Sequence, residues 1–194
     1  MYNLGFCIKR FTLPNYSFNV TSLITPDLDS MHVGDTIYLV SIFSTKLIDQ
    51  SSGQMIDYSN STVIGSTLAV SSLPIGDTIA KDAVFDFDYV SVNGRIYNDR
   101  SIPRPDGIQQ LNYAELNGNY VLKVGLIPKK QGDYVLGIGN GLSNGINKNK
   151  NCEKASFNIS VTNTNQHFYL LTKWNPDIII NEFGKNHGYV FKVY

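Results

Sequence analysis

The chain has 194 residues, 16% of them charged, with sixteen acidic and sixteen basic side chains in balance. That neutrality excludes the dense cationic footprint that binding to nucleic acid or an anionic membrane surface requires, and no apolar run reaches the eighteen or so residues of a membrane-spanning helix. Twelve Tyr and ten Phe, beside abundant Val, Ile, Thr, Ser and Asn, favour pleated strands and turns over helices.

Met1 is followed at once by Tyr-Asn-Leu-Gly-Phe, without the basic segment and apolar run of a signal peptide. Two readings stay open: a cytosolic protein, or an exported one whose signal has been removed, which the scarcity of Lys and Glu favours. In YNLGFCIKRF, the alternation of Tyr2, Leu4, Phe6 and Ile8 predicts a first strand. The next segment, TLPNYSFNVTSLITPDLDS, carries Pro14 and Pro26 and reads as extended chain or an edge strand.

VGDTIYLV at 33–40 and IGDTI at 75–79 share a Gly-Asp-Thr-Ile core. Asp35 has no carboxylate or His partner at a metal-ligand spacing, so both stretches are read as turns that open strands, with Thr36 to Phe43 an interior strand. Residues 46–63 suggest a hairpin or wide loop with Ser-Ser-Gly-Gln at its tip. In AVFDFDYVSV, period-2 alternation sets Phe85, Phe87 and Tyr89 toward the core and Val84, Asp86, Asp88 and Val90 on the other face. Asp86 and Asp88 are then a carboxylate pair about 7 Å apart at Cα; a solvated strand face explains them better than an acid/base pair, because no third ligand is apparent.

Residues 101–118, with Pro103, Pro105 and Gly107, read as a connector. YVLKVGLIP and GDYVLGIG, joined by Lys-Lys-Gln, predict an antiparallel hairpin. The Gly/Asn/Lys tract GNGLSNGINKNKNCEK is expected to be a loop, and it lacks the Gly-Lys-Ser/Thr of a phosphate-binding loop. ASFNISVTN is a strand by the alternation of Phe157, Ile159 and Val161. NQHFYLLTKWNPD holds the one segment with helical spacing, at Phe168, Leu171 and Trp174, stopped by Pro176, and a strand is its alternative. The closing YVFKVY is a strand expected to be tied into a sheet.

The chemistry-bearing residues are dispersed. His32, His167 and His187 each stand apart from Cys, Asp or Glu at metal spacings, and there is no Gly-x-Ser-x-Gly, so no metal, cofactor or catalytic residue is assigned and the chain is read as a non-enzyme. Trp174 and Tyr169 are candidate ligand-binding aromatics that could stack on a sugar ring, with core packing the plainer reading. Cys7 and Cys152 are the two cysteines; they form a disulfide if the compartment is oxidising, and are buried thiols otherwise.

LDSMHVGDTIYLVSIF, YVLKVGLIPKKQGDYVLGIG and NQHFYLLTKWNPDIIINEFGKNHGYVFKVY together resemble extracytoplasmic lipoproteins of Bacteroidota, whose sandwich domains open strands with Val-Gly-Asp-Thr and close hairpins with Gly-Asp-Tyr. The resemblance implies export to the periplasm or outer-membrane surface, a removed signal ending in a lipid-bearing cysteine upstream, and a role at the cell envelope; it transfers no catalytic residue. It also implies O-glycosylation of a Ser or Thr that follows Asp and precedes an apolar residue, a pattern that Ser30, Thr36 and Thr78 satisfy.

The expectation is therefore a mainly β chain. It is an immunoglobulin-like antiparallel β-sandwich with elaborated loops and at most one short helix, a single domain over 1–194, with a split near 75–82 as the alternative. Its function is read as a non-enzymatic binding or assembly component of the envelope, with a surface nutrient-uptake system as one setting and an envelope protein or glycan as partner. A carbohydrate-binding module is the alternative, and a hydrolase with dispersed catalytic residues comes third.

Overall fold

The computed structural model describes residues 16–61, 63–76, 79–97, 108–143, 154–163, 167–177 and 186–194. The first half of the chain supplies β1 (Tyr16–Thr25), β2 (Ser30–Met31), β3 (Ile37–Ser44), β4 (Lys46–Ile48), β5 (Met55–Asp57), β6 (Gly65–Ser72), β7 (Lys81–Asp82), β8 (Phe87–Asn93) and β9 (Arg95–Tyr97). The second half supplies β10 (Ile108–Asn112), β11 (Ala114–Leu116), β12 (Asn119–Pro128), β13 (Gly132–Ile138), β14 (Gly141–Ser143), β15 (Ala155–Val161), the helix α1 (Tyr169–Trp174) and β16 (Gly188–Val193).

These elements form an immunoglobulin-like β-sandwich, mainly antiparallel. In the larger sheet β9, β10, β6, β13, β16 and β2 lie side by side, and β14 leads from β6 to β15 and so to β1. In the smaller sheet β1, β3 and β12 are adjacent, with β11 and β8 sharing the far side of β12. The chain changes sheet along both edges. At one edge, Tyr16–Ser22 run parallel to β15 in the larger sheet while Leu23–Thr25 pair with β3 in the smaller. At the other, β8 pairs with β12 and β9, one residue later, pairs with β10. Gly94 makes that second crossing, at φ +74°, where an added Cβ would sit 2.5 Å from the Asn112 carbonyl oxygen; only glycine tolerates both the conformation and the approach.

Between the sheets, the inward rows form one hydrophobic cluster, including Phe18, Leu39, Leu68, Val124, Leu136, Phe157 and Phe191. Full burial of such a side chain stabilises by about 1.5–3 kcal/mol. Aromatic contacts join the two layers, with Phe43 and Phe157 centroids 5.8 Å apart and Phe87 and Tyr134 5.0 Å apart. Leu68 and Val70, before residues 75–82, share this cluster with Ala83 and Phe87 after them.

Several strands match their sequence patterns. Phe157, Ile159 and Val161 of β15 are buried, Lys46–Ile48 and Met55–Asp57 pair as a hairpin, and β16 is held between β13 and β2. Asp35 is a turn residue: its carboxylate accepts the His32 N–H at 2.8 Å and its own N–H returns to the His32 carbonyl.

The segment read as extended chain or an edge strand contains β1, which among the described residues is an edge in each sheet: Tyr16–Ser22 pair only with β15 and Leu23–Thr25 only with β3, Pro26 lies just beyond its end, and Phe18, Val20, Ser22 and Ile24 alternate inward. Other expectations are corrected. The predicted hairpin of residues 120–138 is instead a crossing between sheets. Both flanks of β12 are taken by β3 and by β11 with β8, and β13 pairs with β6 and β16. Lys129 donates its N–H to the Asp86 carbonyl at 2.8 Å, turning the chain toward the larger sheet.

The strand predicted from residue 84 begins only at Phe87, because Val84–Asp86 form a 3-10 turn that buries Val84 and exposes Phe85. The second Gly-Asp-Thr-Ile opens no apolar strand: Ile79 is exposed and the two-residue β7 follows. Within the expected connector and glycine loop lie β10, β11 and β14. The predicted first strand, and residues 101–107 and 144–153, fall outside the described residues.

Candidate binding face

On the outer side of the smaller sheet, register places an apolar field on four neighbouring strands. Val121 of β12 stands opposite Ile42 of β3, Lys123 opposite Val40, and Gly125 opposite Tyr38. Leu23 of β1 extends the field beyond Val40, and Val90 of β8 extends it beyond Gly125. Directly opposed residues share a face, so these side chains point away from the core together. Ile42 is 58% exposed, Val90 47% and Leu23 41%.

Glycine flattens the centre. An added Cβ at Gly125 would lie 3.2 Å from the Tyr38 ring, so the absence of a side chain lets that ring lie against β12. Lys123 then places its ammonium 4.7 Å from the Tyr38 centroid, a cation–π contact. By strand spacing and rise the field measures roughly 400 Å², within the range of the largest apolar patch on an ordinary monomer. One rim carries Asp88, paired with Lys129 at 3.1 Å.

The carboxylates read as a pair are separated by the start of β8. Asp86 ends the 3-10 turn and is held by Lys130, whereas Asp88 projects from the strand toward Lys129. Each carboxylate has its own lysine. Among the described residues, no three His, Cys, Asp or Glu side chains converge as metal ligands would.

Trp174 and Tyr169 sit on α1, which covers part of the larger sheet's outer side. Leu170 and Leu171 pack there with Leu73 and Val190, joined by Trp174, whose indole N–H donates to the Pro74 carbonyl at 2.9 Å. Tyr169 is half exposed and donates its hydroxyl to Asp29. The two rings thus reach different neighbours. Ser30 donates to the other Asp29 oxygen at 3.0 Å, Thr36 is partly exposed beside Gly125, and Thr78, Cys7 and Cys152 lie outside the described residues.

A buried polar cluster that sequence reasoning missed lies under the same helix. The Tyr189 hydroxyl accepts the Leu28 N–H at 2.9 Å and lies 2.7 Å from the Leu28 carbonyl and 3.1 Å from Asp27, and burial pushes its pKa up. His167 is buried, with Nδ1 3.2 Å from the Val190 carbonyl and Nε2 3.7 Å from Asp27. Nδ1 is thereby within hydrogen-bond distance of a carbonyl and Nε2 faces Asp27 from farther away, and the cluster pins the 26–29 loop to β16. His167 and Asp27 are 140 residues apart in sequence, a distance at which spacing carries no signal.

No protein family matches the chain, and no curated protein does. Among solved structures, it is similar to the cohesin module from a Clostridium perfringens family 33 glycoside hydrolase, at 15% identity and a TM-score of 0.32, over 72% of this chain and 98% of that one.

Proposed function

We propose that this chain is a non-enzymatic binding module of a cell-envelope assembly, docking a partner protein on the outer face of β1, β3, β12 and β8. The observation that carries the reading is the row of exposed Leu23, Ile42 and Val90 on a sheet whose other face already supplies the core. Extracytoplasmic location and lipoprotein character rest on the resemblance of the segments quoted above to Bacteroidota lipoproteins. The non-enzymatic reading draws support from the separate lysine partners of Asp86 and Asp88 and from the engaged ring of His167.

Charge selects the occupant. Among the described residues, Lys123 is the one formal charge near the centre of the face, so a two-fold pairing of copies through that centre sets ammonium against ammonium. A different protein, offering a carboxylate ringed by apolar side chains, fits better. A glycan is served less well, since sugars favour aromatic platforms with convergent polar groups, and among the described residues Tyr38 is the one aromatic side chain that the register places on this face.

The test is photo-cross-linking in envelopes of the source cell from a reactive side chain at position 121, compared between wild type, Ile42→Asp and Leu142→Asp. Ile42 and Leu142 are both 58% exposed, but Leu142 lies on the larger sheet. One defined protein adduct, lost in Ile42→Asp and kept in Leu142→Asp, is the expected result. Equal adducts in both variants, a glycan adduct or a homodimer would overturn the proposal.

A further inference from the structure

We propose that a cleft at the Asp133 end of the larger sheet binds an ammonium or guanidinium group carried on an apolar stem. The cleft has a volume of about 630 Å³ and lies between the residue 72–75 turn, the start of β13 and the end of β16. It is separate from the docking face and does not depend on that reading.

The charges around it are unevenly matched. Lys130 is paired with Asp86. Asp133 and Lys192 are direct cross-strand partners between β13 and β16, the arrangement in which an ion pair is expected. Lys192 instead places its ammonium 4.6 Å from the Tyr194 ring centroid. Asp133 is left without an ion pair among the described residues, and its Oδ1 is shielded from solvent and accepts no hydrogen bond. A buried carboxylate oxygen without a donor is a costly arrangement that a cationic donor relieves.

The walls match a stem as well as a charge. Ile75 is 96% exposed and Tyr194 51%, so an aliphatic chain entering beside them covers apolar surface. Two anchors make this a built wall: Leu73 donates its N–H to the Asp133 carbonyl at 2.8 Å, and Trp174 holds the Pro74 carbonyl. A lysine or arginine side chain of another protein and a free alkyl amine share this chemistry.

Titration of the whole chain with n-butylammonium and n-propylguanidinium, followed by the backbone amide resonances of Leu73, Asp133 and Lys192, tests the assignment. Butan-1-ol serves as the uncharged control. Saturable shifts with both cations and none with the alcohol are expected. Asp133→Asn should abolish them, and Lys192→Met should strengthen binding severalfold by removing the neighbouring ammonium. A blocked Gly-Lys-Gly peptide separates the sources: binding at least as tight as butylammonium assigns the site to a protein side chain, and weaker binding to a small amine. Equal shifts with butan-1-ol, unchanged binding in Asp133→Asn or weaker binding in Lys192→Met would each overturn the proposal. Should Asp133→Asn fail to fold, the alcohol control and Lys192→Met decide it.

Discussion

The outer sides of the two sheets carry similar apolar side chains and have opposite fates. On the larger sheet, α1 lies over Val135 and Val190, and Val190 is fully buried. On the smaller sheet, Val40 and Ile42 occupy equivalent outward positions with no element packed over them among the described residues, and Ile42 is 58% exposed. Strand alternation therefore creates two rows per sheet, and a distant element decides whether the outer row becomes core or contact surface.

The largest effect is expected where both faces depend on one residue. Gly94 carries the chain from the smaller sheet to the larger; Gly94→Ala adds positive-φ strain to a 2.5 Å clash with the Asn112 carbonyl. A loss of about 3–5 kcal/mol is expected, read as a lowered denaturant midpoint at unchanged slope. A loss below about 1 kcal/mol would mean that the strands on either side shift easily, and that the sheets are not joined rigidly at this edge.

A direct comparison of the faces follows from truncation. Leu171→Ala on α1 removes a side chain that is 7% exposed, and should cost about 2–4 kcal/mol. Ile42→Ala on the smaller sheet should cost less than about 1 kcal/mol, because much of that side chain is already in water. Equal losses in urea unfolding would show that something covers Ile42 as α1 covers Val190.

Much of the fold was legible because periodicity is local. The alternation in ASFNISVTN and the spacing of Phe168, Leu171 and Trp174 each describe one element, and β15 and α1 follow them. Partners are not local. Nothing in YVLKVGLIPKKQGDYVLGIG distinguishes a hairpin from a crossing between layers, since both require two apolar strands and a short polar link. Pro14 and Pro26 around β1 did carry such information, since they mark a segment that pairs along one flank at a time.

The binding face was half visible. Val90 shares the outward row of Asp88, a signal that this row faces solvent, but the run from Thr36 to Phe43 is apolar on both sides and was read as interior. Only the register of β3 against β12 shows that Ile42 and Val121 adjoin. Asp133 gave no signal at all, since its sequence neighbours are those of an ordinary turn-to-strand junction.

The smallest predicted effect concerns how tightly the larger sheet keeps its cover. Tyr169, the first residue of α1, donates its hydroxyl to Asp29, and Ser30 donates to the same carboxylate. The Tyr169 hydrogen bond is the leading cause that holds the Asp29 pKa below its ordinary value, with Ser30 next. A carboxyl with a depressed folded-state pKa contributes stability above its unfolded pKa, near 4 for Asp, and loses it as pH falls through the folded value. Acid should thus loosen the start of α1 before the sandwich unfolds. Trp174, the single tryptophan, sits at the other end of this helix and reports on it. Its emission should shift to longer wavelength below about pH 4, while the tyrosine-rich core keeps its near-ultraviolet dichroism. Tyr169→Phe removes the donor, so the acid step should shrink and the neutral-pH emission should already lie slightly to the red. An acid step of full size in Tyr169→Phe would assign it to a group other than Asp29. Among the described residues the outer face of the smaller sheet has no such tether to release, and exchange protection along β3 and β12 should stay constant across the same pH interval.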